Sequence, residues 1–148
     1  MNRLATTLLS FVVVVLPMNA AQRDTSALAR IKSIYIVSAP DGQPIPQRES
    51  LARELTKVGF EIVGTPSAGD ATLTVFARAE IIVDGDGSIP NKSIFTYELA
   101  LPNKTVVWKY RSKFVSRTPS KDDDYAAQKM AAKLLKDKAD SMRKAAHK

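Results

Sequence analysis

The sequence predicts an α+β domain built as a two-layer sandwich, with five strands in one sheet and two helices packed on one face of it. Five segments are rich in β-branched and aromatic residues or alternate apolar with polar residues, as strands do. Two other segments repeat apolar residues at helical spacing, one after the first strand and one near the end of the chain. Since each helix and the sheet have one apolar side, both helices are expected on the same face of a mixed, mostly antiparallel sheet.

The N-terminus has the three parts of a secretory signal peptide. Arg3 supplies a positive charge, an apolar run extends from Leu4 to Leu16, and small residues lie before Ala21. An uncleaved membrane anchor is the alternative, but this run is shorter than the about 20 apolar residues that cross a bilayer. We therefore expect residues 1–20 to be removed and the mature protein, without a transmembrane segment, to be periplasmic or secreted.

The rest of the chain is long enough for one domain. Of the 148 residues, 128 would remain after cleavage. They keep 21 basic and 15 acidic residues, a net charge of +6 that favours anionic surfaces. The sequence has no cysteine, so packing alone must hold the domain together. We expect residues 21–30 to be a flexible leader, residues 31–142 to be the domain, and residues 143–148 to be a basic, frayed tail.

The first three strands and the first helix occupy residues 31–81. Residues 31–37 form the first predicted strand. Leu51, Leu55 and Val58 then recur at helical spacing, and Gly59 ends the helix. Residues 60–63 are a second short strand. The third alternates from Ala71 to Ile81, with one apolar face and one face of polar or mixed residues.

The last two strands form a hairpin whose register can be predicted. If residues 102–105 are its loop, Leu99 faces Trp108, Leu101 faces Val106 and Tyr97 faces Tyr110. All six side chains then lie on the core face, and the same register puts Glu98 opposite Lys109 on the other face. The predicted core residues of the two strands are Phe95, Tyr97, Leu99, Leu101, Val106, Trp108, Tyr110 and Phe114.

The last helix begins near Pro119, with Ser120 as its N-cap and Asp123 as the reciprocal capping residue. Its predicted core stripe consists of Ala127, Met130, Ala131, Leu134 and Leu135. Lys138 falls on the same stripe.

The sequence lacks the parts of the common catalytic sites. Its one histidine, His147, lies in the basic tail, and there is no cysteine to act as a nucleophile. No metal-binding motif is present, and the acidic residues fall on helix surfaces and turns rather than across a cleft. We therefore expect a protein that is not an enzyme, with no catalytic residue, bound metal or other cofactor.

Two motifs favour structural over functional interpretations. Asp84-Gly85-Asp86-Gly87-Ser88 begins like a calcium loop, but Ile89 and Phe95 stand where such a loop needs glycine and a bidentate acid, so a hairpin turn is expected. The aromatic residues of the last two strands could be a base-stacking platform. They lie on the face that the helices must cover, however, so we expect core residues and no nucleic-acid partner.

The opposite face of the sheet is the candidate binding surface. Its residues are Phe76, Arg78, Lys109, Arg111 and Lys113. Such a charged face is often simply solvated, and basic residues also protect a strand at a sheet edge from pairing. An exposed phenylalanine among threonines favours a binding role.

Two runs resemble the small domains of bacterial envelope assembly proteins. They are Leu51-x-x-x-Leu55-x-x-x-Gly59-Phe60-x-Ile62-Val63 and Gly69-Asp70-Ala71-Thr72-Leu73-Thr74-Val75. They are similar to the lipopolysaccharide-assembly lipoprotein, the TolB N-terminal domain, and the CsgG-like and penicillin-binding-protein-activator lipoproteins. The sequence departs from these lipoproteins in lacking the lipidation cysteine.

The resemblance implies a non-catalytic module that binds an envelope protein or an anionic glycolipid. The alternative is a soluble secreted binding protein or inhibitor for an anionic ligand.

N-terminal sequencing of the protein from its native host tests the predicted cleavage. The mature chain should begin close to Ala21 or Gln22, because the apolar run is too short to remain as an anchor. Recovery of Met1 on the native protein would contradict the prediction.

Overall fold

The computed structural model describes residues 25–37, 47–81, 85, 91–116 and 119–147. The predicted signal peptide lies outside these residues, as does the predicted turn at residues 84–88 except Gly85. In chain order the elements are α1 (Thr25–Arg30), β1 (Ser33–Val37), α2 (Arg48–Lys57), β2 (Glu61–Val63), a 3-10 turn (Pro66–Ala68), β3 (Ala71–Ile81), β4 (Asn91–Ala100), β5 (Val106–Ser116) and α3 (Pro119–Ala146).

The five strands form one sheet in the order β2-β1-β3-β4-β5. β1 is parallel to both β2 and β3, whereas β3, β4 and β5 form an antiparallel meander. The parallel strands are joined through α2 and the 3-10 turn, because a parallel connection must cross the sheet, while the meander needs only hairpins. The predicted α+β fold, with its mixed and mostly antiparallel sheet, is confirmed.

One face of the sheet and the inner sides of the helices share a single apolar core. Leu51 and Leu55 of α2, and Met130 and Leu134 of α3, are completely buried in this cluster. The sheet contributes Ile34, Ile36, Ala71, Leu73, Val75, Phe95, Tyr97, Leu99, Val107 and Trp108. The helices therefore lie on one face of the sheet, as predicted, and none of the helices that the structure describes covers the other face.

The expected flexible leader is wrong for residues 25–30, which form α1. Ala27 and Leu28 are buried, and α1 contacts α3 and β5. A six-residue helix has too few turns to show periodicity in the sequence, and its stability comes from docking rather than from propensity. The ordered domain therefore begins before Ile31.

The last helix differs from its prediction in three places. Leu135 is 43% exposed, and Ala126 is buried in the core that Leu135 was expected to join. The helix begins at Pro119, so Ser120 lies inside it, and Asp123 accepts a hydrogen bond of 2.8 Å from Gln47 Nε2. At the other end the helix continues to Ala146, beyond the predicted end at Met142, although residues 142–147 are exposed.

A β-bulge changes the start of β5. Leu99 faces Trp108 and Tyr97 faces Tyr110, as predicted, but Ala100 pairs with Val106 because the register shifts between Leu99 and Ala100. The extra residue leaves Val107 and Trp108 both buried, whereas Val106 is 42% exposed. The predicted pairing of Leu101 with Val106, and the placement of Val106 in the core, are therefore wrong.

Glycine is required at the end of α2. Gly59 has φ +91°, and its N–H donates to the carbonyl of Thr56 at 3.0 Å. The N–H of Phe60 then donates to Leu55 at 3.0 Å, which ends the helix and directs the chain into β2. The C-cap predicted at Gly59 is the position that makes this turn.

The Gly69-Asp70 pair ties the entry of β3 to β1. Asp70 Oδ2 accepts hydrogen bonds from the backbone N–H groups of Lys32 at 2.8 Å and Ser33 at 3.0 Å, which hold the pKa of Asp70 below its usual value. A Cβ on Gly69 would lie 3.2 Å from the backbone nitrogen of Tyr35. Glycine therefore permits the close approach of residue 69 to the backbone of β1, and the hydrogen bonds of Asp70 stabilise it.

Trp108 links the edge strand to α3. Its Nε1 donates to Asp137 Oδ2 at 2.9 Å, and Lys133 Nζ lies 2.7 Å from Asp137 Oδ1. Partial burial raises the pKa of Asp137, but the hydrogen bonds from Lys133 and Trp108 outweigh it and leave this pKa below its usual value. The indole is thus both packed and hydrogen-bonded to a carboxylate.

Lys138 of α3 contacts Phe60 and Ile31, which lie outside that helix. Its ammonium group lies 4.5 Å from the centre of the Phe60 ring and donates to the carbonyl oxygen of Ile31. Burial lowers the pKa of Lys138. A lysine on the core stripe is therefore accommodated by a backbone acceptor and an aromatic face.

Replacing Trp108 by alanine should lower the free energy of unfolding by about 3–5 kcal/mol, because packing is lost and a cavity remains. Trp108→Phe keeps a ring but loses the hydrogen bond to Asp137, so its loss should be smaller. Denaturant unfolding measures both. A loss below about 1 kcal/mol for Trp108→Ala would contradict the assignment of the sheet faces.

Asp70→Asn should cost about 1 kcal/mol, since the two backbone donors lose a charged acceptor. The folded pKa of Asp70 is depressed, so the unfolded chain binds more protons, and stability falls as pH drops below about 4. Unfolding measured across acidic pH should therefore have a shallower slope in Asp70→Asn than in the wild type. Equal slopes would exclude Asp70 as a contributor to acid unfolding.

Candidate binding surface

The structure places all five predicted surface residues on the face of the sheet that no described helix covers, hereafter the open face. On β3 the core residues Leu73 and Val75 alternate with Thr74 and Phe76, so the even-numbered residues of this strand point away from the helices. The cross-strand pairs carry the same alternation into β4 and β5. Phe76 is half-buried, whereas Arg78, Lys109, Arg111 and Lys113 are exposed.

Side chains of the open face are arranged in rows across β3, β4 and β5. Three of these rows are Thr74-Glu98-Lys109, Phe76-Thr96-Arg111 and Arg78-Ile94-Lys113. Directly opposite side chains in such pairs lie about 5 Å apart, and diagonal ones remain within reach of long side chains. Lys109, Arg111 and Lys113 therefore form a continuous line of cations along β5, hereafter the β5 row.

Ion pairs engage only part of this basic surface. Glu98 lies 2.6 Å from Lys109, which confirms the predicted cross-strand pair. Glu80 lies 2.8 Å from the ammonium group of Lys92 and 3.6 Å from the Nε of Arg78. The hydrogen bond from Lys92 holds the pKa of Glu80 below its usual value.

Two cations of β5 remain without such a partner. Arg111 and Lys113 make no ion pair with any residue that the structure describes. The acidic residues described on this face of the meander, Glu80 and Glu98, form their ion pairs with Arg78, Lys92 and Lys109. Among the described residues, Arg111 and Lys113 therefore have no ion-pair partner, although the charge of Arg111 helps to lower the pKa of Glu80.

Sequence reasoning missed two residues of this surface. Lys92 lies next to the first residue of β4, Asn91, and was not among the predicted surface residues. Ile94 is buried although it points to the open face. It lies between Arg78 and Lys113, whose long aliphatic stems are suited to cover an apolar neighbour.

The open face becomes more apolar toward β1. Tyr35 pairs with Thr72 and with Val63 of β2, and Val37 pairs with Thr74, so all three apolar side chains share this face. Each is half-buried. Short strands with apolar residues on both faces show no alternation, so the sequence did not reveal this part of the surface.

A groove of about 470 Å³ crosses the end of the open face beside the 3-10 turn. Thr72 and Thr74 provide hydroxyl groups, and Lys104, at φ +66° in the hairpin loop, provides a cation. The remaining lining residues are Pro66, Ser67, Ala100, Leu101 and Pro102. The groove thus combines one positive charge with hydroxyl donors and apolar walls.

The outer side of α3 is a second exposed surface. Leu135 and Met142 are 43% and 55% exposed, and Ala132 before them and Ala139 between them are also exposed. Their spacing places them on one side of the helix. This apolar row is shallow, and three of its neighbours, Lys136, Arg143 and Lys144, are basic.

Within the described ranges, no three His, Cys, Asp or Glu residues are grouped to hold a metal ion. No described helix is both long and apolar enough to span a membrane.

The comparisons with known proteins find similarity only at the level of structure. No protein-family model and no curated protein matches the sequence. A PelC dodecamer variant from Paraburkholderia phytofirmans is 20% identical over 72% of this chain and 84% of that chain, with a TM-score of 0.47. A minor lipoprotein from Acinetobacter baumannii is 10% identical, covering 70% of this chain and 92% of the other, with a TM-score of 0.49. For the uncharacterized lipoprotein B from Nitrosomonas europaea the corresponding values are 12%, 76%, 79% and 0.40.

Proposed function

We propose that this protein is an exported, non-catalytic binding module of the bacterial envelope, and that the open face of its sheet binds an anionic envelope protein or glycolipid. One observation carries the proposal. Arg111 and Lys113 are exposed, make no ion pair with a described residue, and share with half-buried Phe76, across β4, a face that no described helix covers.

The two faces of the sheet differ in what folding buries on them. The core face is covered by α1, α2 and α3, whereas the cations of the open face lie outside the apolar core cluster. A row of three cations with one ion pair among them attracts anions and repels cations, and this steers association as well as binding. The apolar side chains near β1 add area that an anionic partner with an apolar part could bury.

Two features of the sequence support the envelope location. The N-terminal segment has the parts of a signal peptide, and the helix-glycine-strand pattern resembles envelope assembly domains. The missing lipidation cysteine means that attachment to a membrane would depend on a partner rather than on a covalent lipid.

The groove beside the 3-10 turn favours a second candidate function, the binding of a small soluble anionic ligand. Lys104, Thr72 and Thr74 would recognise its charged group, and the apolar walls its remainder. Lys104→Glu would abolish this binding and leave binding by the β5 row unchanged, so the two candidates are separable.

Reversing the charges of Arg111 and Lys113 tests the first candidate function, the binding of an anionic partner by the open face. The double variant Arg111→Glu/Lys113→Glu should bind poly-L-glutamate and lipopolysaccharide-containing vesicles at least about tenfold more weakly than the wild type at low salt, because two attractive contacts become repulsive. The difference should shrink at high salt, where exposed charges are screened. Its unfolding free energy should change by less than about 1 kcal/mol.

A matched control carries the same change of charge in the helix layer. Arg48→Glu/Lys129→Glu reverses two exposed cations outside the open face and should keep wild-type affinity. If the control loses as much affinity as the open-face variant, net charge explains the binding and the open face is not the site. Unchanged binding of both probes by the open-face variant would also refute the proposal.

A further inference from the structure

β5 is an edge strand with an unusual combination of features. It is 11 residues long, contains no proline, and is paired with β4 alone among the described strands. On its outer side an antiparallel strand directs every second pair of backbone N–H and C=O groups away from the sheet. No strand within the described ranges pairs with this outer edge, which therefore presents a row of donors and acceptors to which another strand could bind.

The described helices and the core cover one side of this strand, and its basic residues lie on the other side. Val107 and Trp108 are buried, and Leu28 of α1 lines a cavity of about 360 Å³ next to them. From Lys109 to Lys113 the basic residues are exposed on the open face. Between them, Tyr110 is half-buried and Ser112 is buried on the core side.

The charges on β5 disfavour a second copy of this chain as the occupant. Two copies that continue the sheet in antiparallel fashion would keep their open faces on the same side. Lys109, Arg111 and Lys113 would then lie opposite one another, and like charges directly opposite are destabilising. The same row would attract a strand with carboxylates at alternate positions.

We propose that the outer edge of β5 binds an extended acidic segment of a partner protein, which adds a sixth strand to the sheet. Acidic side chains at every second position of that segment face Lys109, Arg111 and Lys113 on the open face. The intervening side chains lie on the core side, beside Tyr110 and Ser112. This inference rests on the proposed function, because it uses the same row of cations, and it specifies the class of partner.

Backbone pairing distinguishes this mode from binding of a glycolipid. A strand forms hydrogen bonds with the outward N–H groups of β5, whereas a lipid phosphate or sulfate contacts the lysine and arginine side chains. Only the added strand therefore slows hydrogen exchange at alternate backbone amides along the edge.

The test uses the mature protein and the capped peptide Ser-Glu-Val-Glu-Val-Glu-Ser, followed by amide hydrogen exchange in NMR spectra. Saturating peptide should slow exchange at least about tenfold at alternate amides between residues 109 and 115, while amides of β2 at the other edge remain unchanged. Arg111→Glu/Lys113→Glu should weaken peptide binding at least about tenfold.

Peptides with methylated backbone nitrogens provide the matched control. In one peptide the N–H groups of the glutamates are methylated, and in another those of the valines, so that charge and composition are nearly the same. A strand that pairs through one edge loses binding with one methylated set and retains it with the other. Equal affinity of both methylated peptides would overturn the proposal.

The outcomes also separate this inference from the proposed function. Salt-sensitive binding of poly-L-glutamate or lipopolysaccharide-containing vesicles without amide protection would overturn strand addition and leave an anion-binding open face. If Arg111→Glu/Lys113→Glu binds poly-L-glutamate, the vesicles and the peptide as tightly as the wild type does, both strand addition and the proposed function are overturned.

Discussion

The constraint on which the rest of the structure depends is that all the described helices pack on one face of the sheet. α1, α2 and α3 contribute to the same apolar cluster as the core side of the five strands. The other face of the sheet carries no helix from the described part of the chain, as is common for antiparallel sheets. Folding therefore fills one face with apolar side chains and leaves the other to be shaped by solubility and binding.

Polar contacts fix how the helix layer sits on the sheet. Gln47 is buried at the start of α2, donates to Asp123 of α3, and accepts a hydrogen bond of 3.2 Å from the Tyr97 hydroxyl. A tyrosine hydroxyl is protonated at neutral pH, and burial raises the pKa of Tyr97 further. Trp108 also donates a hydrogen bond to Asp137, farther along α3. Hydrogen bonds need a defined geometry, so these bonds fix the positions of α2 and α3 on the sheet more uniquely than apolar packing alone.

The sequence predicts the long elements well because their periodicity is strong. The meander registers correctly at Leu99-Trp108 and Tyr97-Tyr110, since two strands with clear alternation admit one pairing that keeps both apolar faces on the same side. The bulge beside Ala100 escaped prediction, because Val106 and Val107 are both apolar and either one could face the core. The short helix α1 escaped prediction for a related reason, namely that two buried residues form no repeat.

The candidate surface was predictable where charge alternates along a strand, as it does from Lys109 to Lys113. Its apolar part was not, because β1 and β2 carry apolar residues on both faces and only the strand order shows that Tyr35 and Val37 lie beside the threonines of β3. The sequence could not show that Arg111 and Lys113 lack an ion-pair partner among the described residues, since this depends on which cations pair with Glu80 and Glu98. The sequence thus indicated a basic face, and the structure identifies the part of it that ion pairing leaves unused.

If partners bind the open face rather than the helix layer, site-specific photo-crosslinking in the native envelope should show it. A benzoylphenylalanine replaces either Phe76 on the open face or exposed Leu135 on α3. We expect discrete adducts from the position of Phe76 and few from that of Leu135. Adducts formed mainly from the position of Leu135 would contradict this expectation and assign binding to the outer side of α3.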